Sequence, residues 1–192
     1  RGPDKDGCYS GCAVIDTDGT PTLVYTGISP QVQCLATSKD LVTWTKYEQN
    51  PVLANAGITE PILGWRDPYV WREGDEWRMT ISSGITDKGG AVLLYRAKEL
   101  RGPWSYVHPL FVSREWLIDS PYHANFECVS FVPLENKWLL IASAEHLQRA
   151  FWFIGDYRDG KFTPETSGPI DGNLHKYPAT FYAPQVFRDD KG

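Results

Sequence analysis

The chain has 192 residues, of which 42% are hydrophobic and 22% charged, and its formal net charge is −5. This length and composition suit one large globular domain and exclude a disordered chain. The acidic balance argues against a nucleic-acid partner, because no basic excess is present to displace counterions from phosphates. No apolar run reaches the roughly 18 residues of a transmembrane helix, so no membrane partner is expected.

Residues 7–48 are predicted to form a unit of four short strands. Runs of β-branched and aromatic residues stand between turn residues, which places strands at residues 8–15, 22–26, 32–38 and 43–47. The turn at residues 16–21 is short enough to join antiparallel neighbours. We therefore expect an antiparallel four-stranded sheet.

The same unit occurs twice more along the chain. Its strands are predicted at residues 67–71, 76–82, 91–97 and 104–106, within residues 65–107, and at residues 127–132, 137–143, 150–157 and 161–162, within residues 126–163. The segment that ends in Trp44 is repeated in the segment that ends in Trp104. A further copy, residues 180–192, opens with a strand at residues 181–187. A repeat of roughly 55 to 60 residues without helical periodicity indicates a β-propeller.

The expected fold is therefore all-β, with three four-stranded blades plus the first strand of a further blade. A propeller needs at least four blades to close. Residues 1–192 are accordingly predicted to be one incomplete propeller domain of a longer protein. Its uncovered blade faces and strand edges would favour self-association.

Two acidic residues stand where first strands begin. Asp67 precedes the apolar run of the second unit, and Glu127 occupies a similar place in the third. The first strand of each blade lies nearest the propeller axis, so we expect the two side chains to be neighbours. The structural alternative is an Asp-Pro turn in which Arg66 neutralises Asp67.

Two converging carboxyl groups are what glycoside hydrolysis requires, one to protonate the leaving oxygen and one to act on the sugar carbon. Apolar neighbours should raise the pKa of Glu127 and make it the acid. Arg66 should keep Asp67 ionised. Eight Trp and ten Tyr fit a sugar-facing surface as well as a sheet core. Two unrelated structural acids remain the alternative.

The cysteines give no sign of a metal site. None of the four forms a Cys-x-x-Cys pair or a Cys/His group with zinc spacing, and they are Cys8, Cys12, Cys34 and Cys128. No cofactor or metal is therefore expected. Unpaired thiols, together with the lack of a signal-peptide core in residues 1–6, favour a cytoplasmic location.

The motifs at residues 65–68 and 126–128 resemble the Arg-Asp-Pro and Glu-Cys motifs of glycoside hydrolase family 32, the invertases, inulinases, levanases and fructosyltransferases. Four other segments are similar to blade segments of that family, namely residues 7–14, 23–27, 38–44 and 181–185. The order of these motifs along the chain makes the resemblance specific.

The resemblance implies a partial five-bladed β-propeller whose axial pocket cleaves β-fructosidic bonds of sucrose or fructans with retention of configuration. Asp67 would match the transition-state stabiliser, Glu127 the general acid/base, and Arg66 would orient the sugar or the acid. The remaining substrate-binding candidates are Trp65, Tyr182 and Cys128. Core packing is the alternative for Trp65 and Tyr182.

The sequence departs from the family pattern at three places. The family nucleophile is an Asp in a Trp-Met-Asn-Asp-Pro-Asn-Gly type motif, which nothing here matches, since Asp4 and Asp6 belong to the loop before the first strand. Without that carboxylate no covalent intermediate can form, and these 192 residues alone are expected to be inactive. Residues 129–130 replace the usual Pro-Asp, and residues 175–178 replace the usual approach to the Phe-Tyr-Ala strand.

Two other functions fit the sequence. One is a non-catalytic carbohydrate-binding propeller, for which the missing nucleophile would be real. The other is a related five-bladed furanosidase acting on arabinose or xylose chains, against which the Glu127-Cys128 pair argues.

Overall fold

The computed structural model describes residues 2–113, 125–171 and 181–186. Within these residues, twelve strands form three antiparallel sheets of four strands each, and the one helical element is a short 3-10 turn, Glu145–Leu147. No helix in the described part of the chain is long and apolar enough to cross a bilayer. The all-β prediction is confirmed.

Each sheet is a meander in which strands adjacent in sequence are hydrogen-bonded neighbours. The first sheet comprises β1 (Cys8–Ile15), β2 (Pro21–Ile28), β3 (Gln31–Ser38) and β4 (Trp44–Lys46). The second comprises β5 (Ile62–Glu73), β6 (Glu76–Ile85), β7 (Gly89–Ala97) and β8 (Ser105–Ser113). The third comprises β9 (Phe126–Leu134), β10 (Lys137–Ala144), β11 (Arg149–Arg158) and β12 (Lys161–Pro169).

The first strands of the three sheets lie side by side. Strand β1 contacts β5, and β5 contacts β9, so the sheets are arranged like successive blades around an axis. Residues near the start of each first strand are thereby brought to a common point. The number of blades in the whole protein stays a prediction.

The hydrophobic core lies between neighbouring blades. In β7, Leu93 and Tyr95 belong to the cluster shared with the first blade, whereas Val92 and Leu94 belong to the cluster shared with the third. This follows from the alternation of side chains along a strand. Burying each such side chain contributes about 1.5–3 kcal/mol. Contacts between faces therefore fix the blades relative to one another.

Several strands are longer than predicted. Strand β5 begins at Ile62 rather than residue 67, and the outer strands β8 and β12 extend to Ser113 and Pro169. Their partners β7 and β11 are long, and each offers a ladder of backbone groups that the outer strand satisfies. The local sequence pattern predicts the apolar part of a strand, but not the part that forms because a neighbouring strand offers backbone partners.

The strand predicted at residues 181–187 is not formed over residues 181–186. Among the described residues, one hydrogen bond between two backbone groups joins them to the third blade, from Ala150 N to Phe181 O at 3.1 Å. The described residues contain no strand that pairs along this segment, and a strand requires such a partner. Residues 180 and 187–192, which complete the fourth predicted unit, lie outside the described residues.

Candidate active site

A β-bulge interrupts the first strand of every blade at the same register. In the second blade, Arg66 and Tyr69 pair with Ser82 and Thr80, which leaves one extra residue on β5. The pairings of β1 and β9 show the same irregularity. The extra residues are Ser10, Asp67 and Cys128. Bulges re-aim side chains and are common beside active sites.

Two of the bulge residues have left-handed backbone conformations. The φ angle is 60° at Asp67 and 49° at Cys128, a region that residues other than glycine rarely adopt. Asp67 Oδ2 accepts a hydrogen bond from Cys128 N at 2.8 Å. The bulges of adjacent blades are therefore joined directly, and the carboxyl of Asp67 lies against the backbone that carries Glu127.

The residues immediately before the bulges form a second row of contacts around the axis. The guanidinium of Arg66 lies 5.6 Å from the ring centre of Tyr9 and donates through Nε to Glu127 Oε1 at 2.9 Å. Tyr182 OH donates to Glu127 Oε2. Glu127 is thus held from both sides, with 18% of its side chain exposed.

Glu145 is a second carboxylate partner of Arg66. Arg66 Nη2 donates to Glu145 Oε2 at 3.0 Å, and Asn125 Nδ2 donates to the same oxygen at 3.1 Å. A Cβ on Gly64 would collide with Arg66 Nη1, so a larger residue at position 64 would displace the guanidinium from this position. Burial opposes the charged form of Arg66, but the hydrogen bond and charge of Glu127 raise its pKa.

The prediction that Arg66 keeps the pKa of Asp67 low is wrong. Burial raises its pKa, although the hydrogen bond from Cys128 N and the charge of Arg66 act in the other direction. Asp67 is only 4% exposed. The guanidinium of Arg66 is engaged by Glu127 and Glu145 instead.

The expectation that Asp67 and Glu127 occupy equivalent positions also needs correction. Arg66 pairs with Ser82 and Glu127 pairs with Ser143, so Glu127 corresponds to Arg66 and Cys128 corresponds to Asp67. The two acids come from different positions of the repeat. Asp67 bonds to the residue that follows Glu127, because one acid is at a bulge and the other stands just before the bulge of the next blade.

The other candidates divide between the site and the core. The hydroxyl of Tyr182 donates a hydrogen bond to Glu127. Burial is the main cause that raises the pKa of this hydroxyl, and the hydrogen bond to Glu127 adds to it. Burial, with the charge of Asp67, raises the pKa of Cys128 to about 12. The ring of Trp65 lies in the hydrophobic core, where Nε1 donates to Tyr95 OH at 2.9 Å, as the packing alternative predicts.

Asp4, one of the two acids before the first strand, is already engaged. Its Oδ2 accepts from Tyr25 OH at 2.9 Å and pairs with Lys46 Nζ at 2.6 Å. The hydrogen bond from Lys46 lowers the pKa of Asp4, although burial acts against it. Asp4 therefore ties the N-terminal turn to the first blade.

A cleft of about 1150 Å³ runs along β1 and β2 and reaches Trp71, and its lining does not include Arg66, Asp67 or Glu127. Residues of the first strand of the second blade and residues 185–186 also line this cleft. Because the cleft contains none of the three charged candidates, we assign the chemistry to the axial contacts instead. Across the described ranges, no three His, Cys, Asp or Glu side chains are grouped to hold a metal ion. All four cysteines are free thiols, as the sequence predicts.

Sequence reasoning missed Glu145 and Asn125. The signal was present in the register, because Ala144 at the end of β10 pairs with Phe126 at the start of β9. A charged residue directly after the second strand of a blade must therefore lie near the start of the first. Two of the departures from the family pattern concern residues after the first blade. Residues 175–178 lie outside the described residues. In the other departure, residues 129–130, Val129 N donates to Ser82 Oγ at 3.2 Å.

Blades that meet at their first strands, with acidic and aromatic side chains near the axial bulges, form a β-propeller arrangement with carboxyl groups close to its axis. The chain belongs to glycoside hydrolase family 32, since the family model described as "Glycosyl hydrolases family 32 N-terminal domain" matches residues 1–192.

Individual relatives agree with this family. A sucrose-6-phosphate hydrolase of Zymomonas mobilis is 34% identical over 98% of this chain and 40% of its own length. A raffinose invertase of Escherichia coli is 33% identical over 98% of this chain and 41% of its own length. The chain therefore spans about two fifths of these curated relatives.

A solved structure has the same fold. The family 32 beta-fructofuranosidase of Bombyx mori superimposes with a TM-score of 0.75 at 28% identity, covering 95% of this chain and 41% of that protein. A variant of the same silkworm protein, also with a TM-score of 0.75, has been solved in complex with sucrose.

Proposed function

We propose that the full-length protein is a retaining β-fructofuranosidase that cleaves the β-fructosidic bond of sucrose or of a fructan. The observation that carries this proposal is the placement of Glu127, held at the axis between Arg66 and Tyr182 and next to the bulge of Asp67. The names of the hydrolase and invertase relatives support it.

In the proposed reaction Glu127 is the general acid. It gives its proton to the glycosidic oxygen as the bond from that oxygen to the fructosyl anomeric carbon breaks, and the leaving sugar departs with a hydroxyl group. A carboxylate supplied by a part of the protein outside these 192 residues forms the covalent bond to the same carbon. Water then displaces that carboxylate, and Glu127 takes back a proton.

The other site residues have supporting roles in this proposal. Asp67 stabilises the transition state through the fructosyl hydroxyls, while Arg66 and Tyr182 hold Glu127 and contact the sugar. Cys128 shapes the wall beside Asp67, where its side chain is 7% exposed. A propeller of five blades would enclose this site, and these residues would contribute only part of it.

Glu127→Gln in the full-length protein tests the proposal. The amide keeps the shape of the side chain but cannot donate the proton in the same way, so we expect kcat on sucrose to fall by about 10²- to 10⁴-fold. Glu135→Gln, the same change in the exposed turn of the same blade, is the matched control and should keep the parent rate.

Three results would contradict the assignment. An unchanged rate in Glu127→Gln would remove Glu127 from the mechanism. A parent protein that binds sucrose or inulin without cleaving them would identify the non-catalytic carbohydrate-binding propeller. Cleavage of arabinose or xylose chains in place of sucrose would identify the related furanosidase.

A further inference from the structure

A buried hydroxyl stands at one repeated position in the second strand of each blade. Thr26, Ser82 and Ser143 are each 0% exposed. Within their own blades they pair with Tyr9, Arg66 and Glu127, the residues that precede the bulges. Thr and Ser at three equivalent buried positions are unusual, because an apolar side chain would fill such a position without a polar group to satisfy.

Each hydroxyl accepts a hydrogen bond from a backbone N–H of the segment that follows it around the axis. Asp67 N donates to Thr26 Oγ1 at 3.1 Å, Val129 N donates to Ser82 Oγ at 3.2 Å, and Ala183 N donates to Ser143 Oγ at 2.9 Å. All three N–H groups lie at a left-handed residue or directly after one, since φ is also positive, 54°, at Ala183.

This arrangement has a physical reason. A bulge removes one residue from the hydrogen-bond ladder, and a buried N–H left without a partner costs about 1–3 kcal/mol. A left-handed conformation in a residue other than glycine adds its own cost. The hydroxyl of the preceding blade supplies the missing acceptor, so the bend can exist inside the protein.

The hydroxyl of the first blade is itself held in orientation. Thr26 Oγ1 donates to Gln33 Oε1 at 2.7 Å, which leaves its lone pairs facing Asp67 N. Gln33 Nε2 donates to the carbonyl oxygen of Trp65 at 3.1 Å. Two buried side chains of the first blade therefore define the backbone on both sides of Arg66.

We propose that Thr26 and Ser82 are positioning residues, whose hydroxyls set the left-handed bends that aim the carboxyls of Asp67 and Glu127 at the substrate. Thr26 acts on Asp67 directly. Ser82 holds the bend at Cys128 through the N–H of Val129. Glu127 immediately precedes Cys128, so this bend sets the direction of the Glu127 side chain. The inference rests on the proposed function, and a displacement of about 1 Å at such groups can cost about 10²-fold in rate.

The test compares Thr26→Val with Thr26→Ser in the full-length protein. Valine keeps the shape of threonine and removes the hydroxyl, so kcat on sucrose should fall at least about tenfold while KM changes less than about threefold, since Asp67 acts on the transition state. Serine keeps the hydroxyl and should keep kcat within about threefold. Ser82→Ala should behave like Thr26→Val.

Ser130→Ala is the matched control. Ser130 is buried in β9, and its hydroxyl has no hydrogen-bond partner among the described residues, so its removal should leave kcat and KM unchanged. Amide hydrogen exchange provides a readout that does not depend on activity, because the Asp67 N–H should exchange faster in Thr26→Val than in Thr26→Ser.

Two results would overturn the inference. One is a Thr26→Val protein with the parent kcat and parent exchange at Asp67. The other is a Thr26→Ser protein that loses as much activity as Thr26→Val, which would show that packing of the methyl group matters and the hydroxyl does not. An inactive parent protein would instead contradict the proposed function, and the exchange rates would still decide whether Thr26 holds the bend.

Discussion

Arg66 connects the acidic residues of the site. Its side chain is 11% exposed and lies between Glu127 and Glu145. Removing one partner of such a largely buried pair leaves the other charge uncompensated, at a cost of about 3–5 kcal/mol if fully buried. Because Glu145 is a second carboxylate partner, Arg66 keeps one ion pair when the other is lost.

The sequence predicts the identity of the acids but not their charge environment. Asp67 and Glu127 are recognisable because carboxyl groups beside an apolar strand need a reason to be there. The partner of Arg66 is 61 residues away in sequence and belongs to another blade, so no local pattern reveals it. The core position of Trp65 depends in the same way on Tyr95, which lies 30 residues away.

The pH dependence of stability should reveal the burial of Asp67. Burial raises its pKa above the ordinary 3.8, so above about pH 4 the folded state binds more protons than the unfolded state. The free energy of unfolding then falls as the pH rises, by at most about 1.4 kcal/mol per pH unit from this group.

Asp67→Asn cannot titrate and retains an acceptor for Cys128 N. The melting temperature of the variant relative to the parent should therefore increase as the pH rises above about 4, as thermal unfolding of both full-length proteins can measure. A difference that stays constant with pH, or that changes in favour of the parent, would contradict burial as the dominant influence on Asp67.

At the scale of the strands, the sequence predicts where each strand lies but not where it bends. Strand β1 is predicted at its observed bounds, Cys8–Ile15, because turn residues mark both ends. The bulges carry no comparable signal: Ser10, Asp67 and Cys128 have little in common chemically. Each bulge is a shift in the pairing between the first and second strands of its blade. Such a shift depends on residues distant in sequence, so a short stretch of sequence does not show it.

The close contact between β7 and the start of β9 gives a test at this scale. A Cβ on Gly90 would lie 2.9 Å from the ring of Phe126, which is 1% exposed and stacked on Phe111 with ring centres 6.2 Å apart. The ring cannot move away, so Gly90→Ala should destabilise the protein by about 1–3 kcal/mol through overpacking.

A double-mutant cycle identifies the cause of that destabilisation. In a Phe126→Leu background the smaller side chain leaves room for the methyl group, so Gly90→Ala should then cost less than it does in the parent. The free energies come from denaturant unfolding of the four proteins. Equal costs in both backgrounds would show that Phe126 is not the residue that requires glycine at position 90.

For the whole molecule, the repeat predicts blades and their order, and the structure shows three of them meeting at their first strands. Closure depends on contacts between blades that are distant in sequence, so the number of blades and self-association stay predictions. The cleft along β1 and β2 is lined largely by apolar side chains, among them Val14, Leu23 and Val24. It is distinct from the axial contacts.

The most direct test of the proposed site is a crystal structure of full-length Glu127→Gln with sucrose bound. We expect the amide of residue 127 to lie about 3 Å from the glycosidic oxygen, with the carboxylate of Asp67 hydrogen-bonded to fructosyl hydroxyls. Sucrose bound in the cleft along β1 and β2, with neither group in contact with it, would contradict the assignment of Glu127 and Asp67.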